Sequence, residues 1–174
     1  FTLSQQTKDI VKSLDQEVDI YYICEAGQED SYVEALLDRY VAMNDNIKVI
    51  KKDPVVYPSF ASKYTSDTLS NNSLIVVCGD RSRVVGYNDI FVTDYSNYYT
   101  TGKTSTSFDG ESQLTSAIGY VTSEDLPKVY TLTGHGEKSL SSSFSNAISK
   151  ENIDLEELSL VSQEKVPEDA QCLI

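Results

Sequence analysis

Apolar positions recur along this chain with two spacings, and the switches between them mark out its elements. Ser4 stands ahead of a segment carrying Ile10, Val11 and Leu14 on one side, which predicts a capped helix running to about Leu14. Val18 to Cys24 is rich in Tyr and Ile and reads as an interior strand, broken by Ala26-Gly27. Between about Glu29 and Met43, Val33, Leu36, Leu37, Tyr40 and Val41 fall at the i, i+3, i+4, i+7, i+8 spacing of one buried helical stripe. Asn44-Asp45-Asn46 ends that helix, and Ile47 to Lys51 alternates as a strand. Asp53-Pro54 and Tyr57-Pro58 punctuate a loop with a short helix near Ser59 to Tyr64. Ser73 to Cys78 is a continuous apolar run, the mark of a buried strand. Gly79-Asp80-Arg81-Ser82 is turn chemistry, and Arg83 to Tyr87 returns beside that strand as a hairpin. A long polar loop from Tyr87 to Asp109 leads to a helix over Glu111 to Thr122, with Leu114, Ala117, Ile118 and Val121 inward.

From Val18 onward the order is strand, helix, strand, short helix, hairpin, helix. That is the thioredoxin-like α/β order with one extra helix in front, and it occupies residues 1–125. Leu126-Pro127 marks a boundary, after which a second α/β unit spans 126–174. Its pattern is a strand from Val129 to Leu132, the turn Gly134-His135-Gly136-Glu137, and a helix from about Leu140 to Lys150. Leu140, Phe144, Ala147 and Ile148 share one face of that helix; Ile153 to Leu158 and a segment from Cys172 read as further strands. This is the opening of a Rossmann- or flavodoxin-like unit. The sequence stops within a strand, so the expectation is an excised fragment with an incomplete second unit.

Composition narrows the function classes. Hydrophobic content of 40% with 24% charged residues suits a folded soluble chain. No apolar run approaches the ~18 residues of a membrane span, so any anchors are expected outside these residues. The net charge of −13 disfavours nucleic acid and direct adsorption to anionic lipid, both of which need clustered Lys and Arg. Cys24, Cys78 and Cys172 form no CxxC pair and are odd in number, which argues against a disulfide framework and reads as small buried hydrophobes. A redox thioredoxin carries two cysteines at its first strand–helix junction; here that junction is Cys24-Glu25-Ala26-Gly27-Gln28, so thiol–disulfide exchange of that kind is excluded.

Three segments carry a family resemblance: Thr2-Leu3-Ser4-Gln5-Gln6-Thr7 ahead of the first helix, Gly110-Glu111 with Leu114-Thr115-Ser116-Ala117-Ile118, and Tyr130-Thr131-Leu132-Thr133-Gly134-His135-Gly136-Glu137. Val166-Pro167-Glu168-Asp169-Ala170 fits as well. The chain resembles the extracytoplasmic part of the auxiliary family of ABC-type transport systems that includes the GldG-like gliding-motility proteins. The resemblance implies a membrane-anchored module on the extracytoplasmic face, working with an ABC permease and ATPase. It also implies a second domain similar to class I amidotransferase-like and sugar-binding folds, without an established catalytic residue set.

Candidate sites follow from residue chemistry. Gly134, His135, Gly136 and Glu137 can form a ligand loop at the carboxyl end of a strand, where glycines admit close backbone approach and a helix N-terminus favours polar or anionic groups. The structural alternative is that the glycines make the turn, Glu137 caps the helix and His135 bonds between the units. One His and one Glu do not fill a metal shell, so neither metal nor cofactor is expected. Cys78 activated by His135, with Glu137 orienting, would make a cysteine hydrolase or amidotransferase-like enzyme, although a hairpin is an unusual seat for a nucleophile. Tyr95, Tyr98 and Tyr99, interleaved with Asn88, Asp89, Asp94 and Asn97, have the make-up of a protein or glycan contact surface, or of a loop packing its own rings. The leading expectation is a non-catalytic binding or assembly module whose ligand is a partner subunit, a carbohydrate or a peptide. The enzyme and a ligand-free scaffold are its rivals.

Overall fold

Val18, Ile20 and Tyr22 are fully buried at alternate positions of one strand, and they mark the face of the sheet that the helices cover. The computed structural model describes residues 2–96, 98–134, 136–150, 152–163 and 165–174. It divides into two units, Phe1–Thr122 and Ser123–Ile174.

In the first unit, helix α1 (Gln5–Lys12) begins where the Ser4 side chain accepts the Thr7 amide at 3.2 Å. Strand β1 (Val18–Ile23) leads to helix α2 (Ser31–Met43), whose cap Asp30 accepts from the amides of Tyr32 and Val33. Strand β2 (Ile47–Lys52) then pairs parallel with β1. Strand β3 (Ser73–Cys78) runs antiparallel to β1 and forms a hairpin with β4 (Arg81–Val85), giving the sheet order β2-β1-β3-β4. Helix α5 (Gly110–Thr122) returns onto β3 and β4. This is a thioredoxin-like unit with an added leading helix, and α1 packs against α2 and α5.

Val18, Ile20 and Tyr22 of β1 and Leu74 and Val76 of β3 are fully buried in one core with Leu36, Tyr40, Leu114 and Ile118 from the helices. Ile23 and Ile75 are buried too, but lie outside that cluster on the other face of the sheet. There the β2–β3 connection supplies the cover: Phe60 sits 4.7 Å from the ring of Tyr21, and Tyr64 6.0 Å away. The short helix expected in this connection is a single 3-10 turn, Ala61–Lys63. Val41, expected in the buried stripe of α2, is 38% exposed, because it falls at the margin of the arc that faces the sheet.

Two further expectations change. Strand β4 begins at Arg81, since Gly79 at φ +59° closes a two-residue turn opposite the Cys78–Arg81 pair. The supposed long polar loop from Tyr87 to Asp109 is largely ordered. It contains α3 (Tyr87–Ile90), β5 (Phe91–Asp94), α4 (Tyr98–Thr101) and β6 (Ser105–Phe108), with β5 and β6 in an antiparallel pair. Phe91 pairs with Phe108 at its base, their rings 5.3 Å apart. A ribbon whose strands are largely open to solvent needs no long apolar stripe, so the Ser- and Thr-rich β6 resembles a loop in sequence.

The second unit holds β7 (Lys128–Thr133), α6 (Ser142–Lys150), β8 (Asp154–Ser159) and β9 (Ala170–Leu173). All pairings are parallel, in the order β8-β7-β9. Placing the first strand between the second and third is the flavodoxin-like arrangement. Phe144, expected on the apolar face of α6, is 49% exposed.

Candidate functional site

A parallel sheet offers its ligands the carboxyl ends of its strands, where the order reverses around the first strand. In the second unit that place is the turn after β7. Gly134 and Gly136 adopt φ of +109° and +87°, values that a side chain would strain. Gly134 also lies against β8: a Cβ there would meet the Ser159 hydroxyl at 3.0 Å and Val161 at 3.1 Å. Beside the turn lies a cleft of about 610 Å³, lined by Thr133, Gly134, Gly136, Glu137, Lys138 and Ser139 among others. His135 lies outside the described residues. Helix α6 does not open directly from the turn. It starts after Ser141, whose side chain accepts the Phe144 amide at 3.3 Å, so Glu137 is not its cap. The intervening Lys138-Ser139-Leu140-Ser141 has no regular secondary structure, which Ser-rich sequence favours ahead of a cap.

The base of this unit is tied by charge. Lys128 lies 2.9 Å from Glu156 and 3.2 Å from Asp169, and the Tyr130 hydroxyl donates to Asp169 at 3.0 Å. The hydrogen bonds from Tyr130 and Lys128 hold the Asp169 carboxyl below the usual range.

In the first unit, the β1–α2 junction is the position at which a thioredoxin-like fold can hold reactive thiols. Every amide of residues 25–28 is engaged. Glu25 donates to Asn71 Oδ1 at 3.0 Å, Ala26 to Asp53 Oδ2 at 3.2 Å, Gly27 to Glu29 Oε2 at 2.8 Å and Gln28 to the Glu25 carbonyl at 3.0 Å. Beneath them Asn72, a left-handed residue at φ +68°, is buried. Its Oδ1 accepts from the Tyr22 hydroxyl, from the Asp30 amide at 2.8 Å and from Cys24 Sγ at 3.6 Å; its Nδ2 donates to Gln28 O at 3.1 Å. Burial pushes both the Cys24 thiol and the Tyr22 phenol up, so the cluster is neutral. The sequence gives little sign of Asn72, one of many Asn in turn-like segments. A left-handed position between a polar run and a strand is the only hint.

Cys78 is buried at the end of β3 and donates to Gln16 Oε1 at 3.2 Å. Burial, with a smaller contribution from Asp19, raises its thiol above the ordinary value. Cys78 and Glu137 belong to different units.

The tyrosines form the third candidate site. Tyr95, Tyr98 and Tyr99 are 62%, 51% and 95% exposed at the tip of the β5–β6 ribbon. Their rings meet edge to face, Tyr95 to Tyr98 at 6.5 Å and Tyr98 to Tyr99 at 5.8 Å. The Asp94 side chain accepts from the Ser96 amide and hydroxyl, fixing the turn that leads into them. Asn97 lies outside the described residues. At the base, Tyr87–Phe91–Phe108–Tyr32 is a continuous aromatic chain with centroid spacings of 4.9, 5.3 and 5.8 Å. The tip is therefore carried on a packed stem.

Among the described residues no group of three or more His, Cys, Asp or Glu is arranged to hold a metal ion. No helix of the described residues is long and apolar enough to cross a membrane.

No curated protein matches this chain. Among solved structures it is similar to the NTD_N/C domain of the alkylhydroperoxide reductase AhpF from Enterococcus faecalis (V583). The two are 15% identical with a TM-score of 0.46, over 90% of this chain and 78% of that one. A family profile described as "Domain of unknown function (DUF7088)" matches residues 1–93, more than half of the sequence, and the chain belongs to that family.

Proposed function

We propose that this protein is a non-catalytic binding and assembly module, acting on the extracytoplasmic face as part of an ABC-type transport system. The observation that carries the binding role is the tyrosine tip: three exposed rings, meeting edge to face and mounted on an aromatic stem. Tyrosine brings large contact area with little side-chain entropy to lose, and an exposed cluster of this kind suits a protein surface. The transport setting rests on the sequence resemblance at Thr2–Thr7, Gly110–Ile118 and Tyr130–Glu137, whose partners are the permease and ATPase of the same system. Anchoring to the membrane belongs to that same reading. The cleft beside Gly134 and Gly136 offers a second place for a ligand, carbohydrate or peptide.

The rival cysteine hydrolase gains little from the Cys78 environment. A nucleophilic thiol needs its thiolate favoured, whereas this one is buried, pushed up and bonded to an amide oxygen.

The test is co-purification with the permease and ATPase, using a chain in which Tyr95, Tyr98 and Tyr99 are all replaced by Ser. The expected result is at least a tenfold loss of capture with unfolding unchanged. Undiminished capture sinks the tyrosine reading. Ester or amide turnover that disappears on Cys78→Ala would replace the module with the enzyme.

A further inference from the structure

We infer that the groove under the β2–β3 connection is a second docking site, for a short acidic peptide segment of a partner protein. It is distinct from the tyrosine tip and does not depend on it. The groove encloses about 420 Å³ between the second face of the sheet, at Ile23, and the connection that carries Pro54, Tyr57, Phe60 and Leu69. This face is covered by a loop with one 3-10 turn, and a loop leaves a furrow along the sheet where a full helix would fill it. Next to it Val55, Val56 and Tyr57 are 72%, 63% and 50% exposed, a run of three apolar side chains flanked by Pro54 and Pro58. Single exposed apolar residues are unremarkable in a folded protein; a contiguous run beside a groove marks a contact surface.

Charge chooses the occupant. The chain is strongly acidic, and the lysines of β2 are mostly spoken for: Lys48 pairs with Glu17, and Lys51 with both Glu29 and Glu34. Lys52 points to the other side of the strand from Lys51. Its ammonium stands 4.7 Å from the Tyr57 ring centre and 5.0 Å from that of Phe60, while Lys63 stands 5.4 Å from Phe60 on the connection itself. Among the described residues neither ammonium has a carboxylate partner. Ring faces hold a cation in place without using its hydrogen-bond donors, so both ammonium groups keep N–H groups for an incoming oxygen. Lys52 in the lining, with Lys63 held beside the groove on the Phe60 ring, fits a segment that alternates Glu or Asp with a bulky apolar residue. Asp67 is the one acid in the lining and opposes such a ligand, which supplies a variant of opposite sign.

The experiment titrates the isotope-labelled full chain with two libraries of blocked hexapeptides. One carries two Glu and one aromatic or branched apolar residue; the other has Lys in place of Glu. The expected result is amide shifts at Lys52, Tyr57, Ala61 and Thr65 with the acidic library and at least fivefold weaker binding of the basic one. Lys52→Met, which keeps the apolar stem, lowers affinity at least fivefold; Lys52→Arg restores it; Asp67→Asn raises it. Binding falls with added salt. Equal response to both libraries, shifts confined to other residues, or unchanged affinity in Lys52→Met each overturn the inference. Concentration-dependent self-association seen by sedimentation, abolished by Lys52→Met, would make a second copy the occupant and overturn it as well. The Tyr95, Tyr98, Tyr99 triple variant binds the acidic library as the unaltered chain does, which separates this outcome from the fate of the tyrosine reading.

Discussion

Gly110 shows how much one missing methyl group can decide. A Cβ built there falls 2.5 Å from Phe108 Cζ and 3.0 Å from Leu36 Cδ2. Gly110→Ala gains helix propensity of up to ~1 kcal/mol, but overpacking a filled site costs about 1–3 kcal/mol. The clash wins because Phe108, at the shortest contact, is packed against Phe91 and Tyr32, and Leu36 is fully buried, so urea unfolding is expected to show net destabilisation of about 1 kcal/mol or more. Asn72 is the other decisive residue. Asn72→Ala strands the Tyr22 hydroxyl and the Asp30 amide and puts alanine at φ +68°, with an expected loss of roughly 3 kcal/mol in the same measurement. The thiols should separate cleanly: Cys172 is exposed and labels in the native state, while the buried Cys24 and Cys78 resist labelling until the chain unfolds, as mass spectrometry of a timed alkylation would reveal. Of these residues only Cys24 and Cys78 were legible in sequence, as small buried groups in strands; Cys172, expected to be buried as well, is exposed on the last strand. Asn72 and Gly110 act through contacts with residues far along the chain, and nothing local announces them.

At the scale of elements, sequence and structure agree where one periodicity ran unbroken. Strand β3 and helices α2 and α5 have strong apolar stripes, and they lie where the stripes put them. The ribbon of β5 and β6 was hidden because its strands pair with each other and need no apolar face. The junction after β7 was half legible: the glycines signalled a turn, but the distance from that turn to the start of α6 was not encoded in any stripe. Helix α1 is held by a polar relay. Ser4 donates its amide to Glu111 at 2.7 Å, Thr7 Oγ1 meets Thr115 Oγ1 at 3.0 Å, and Thr115 Oγ1 meets the Tyr40 hydroxyl at 2.6 Å. Thr115→Val should loosen α1 selectively, raising amide exchange over residues 5–12 while the strands stay protected.

For the whole molecule, burial is uneven. Among the described residues of Ser123–Ile174, only Tyr130 and Leu158 are buried apolar side chains, against a large cluster in the first unit. Hydrogen exchange is therefore expected to run faster across residues 123–174 than across the sheet of residues 18–85. The pH response has a definite sign. Burial raises the Tyr40 phenol from 10.0 to about 12, against the opposing bond from Thr115, and Tyr22, Cys24 and Cys78 are raised too. The folded chain thus holds these protons more firmly than the unfolded one. Stability is full below the unfolded thiol and phenol range and drains as pH climbs from about 9 through about 12. On the acid side, burial of Glu111 is outweighed by bonds from Ser4 and Thr7, which lower its carboxyl. That contribution is present above its ordinary value and is lost as pH falls through the depressed one. Circular dichroism across both limbs checks the two signs, and Tyr40→Phe should blunt the alkaline limb.

The saturated amides of residues 25–28 bear on attempts to engineer this scaffold. Gly27→Cys alone would write Cys-Glu-Ala-Cys into the chain, the letter spacing of a dithiol oxidoreductase. The new side chain would sit at φ +86°, opposite a sulfur that burial keeps protonated, in a loop whose donors are already committed to Asn71, Asp53 and Glu29. Such a variant should fail to reduce insulin: attack on a disulfide needs a thiolate, and here burial opposes that charge while the neighbouring amides have no donor left to steady it.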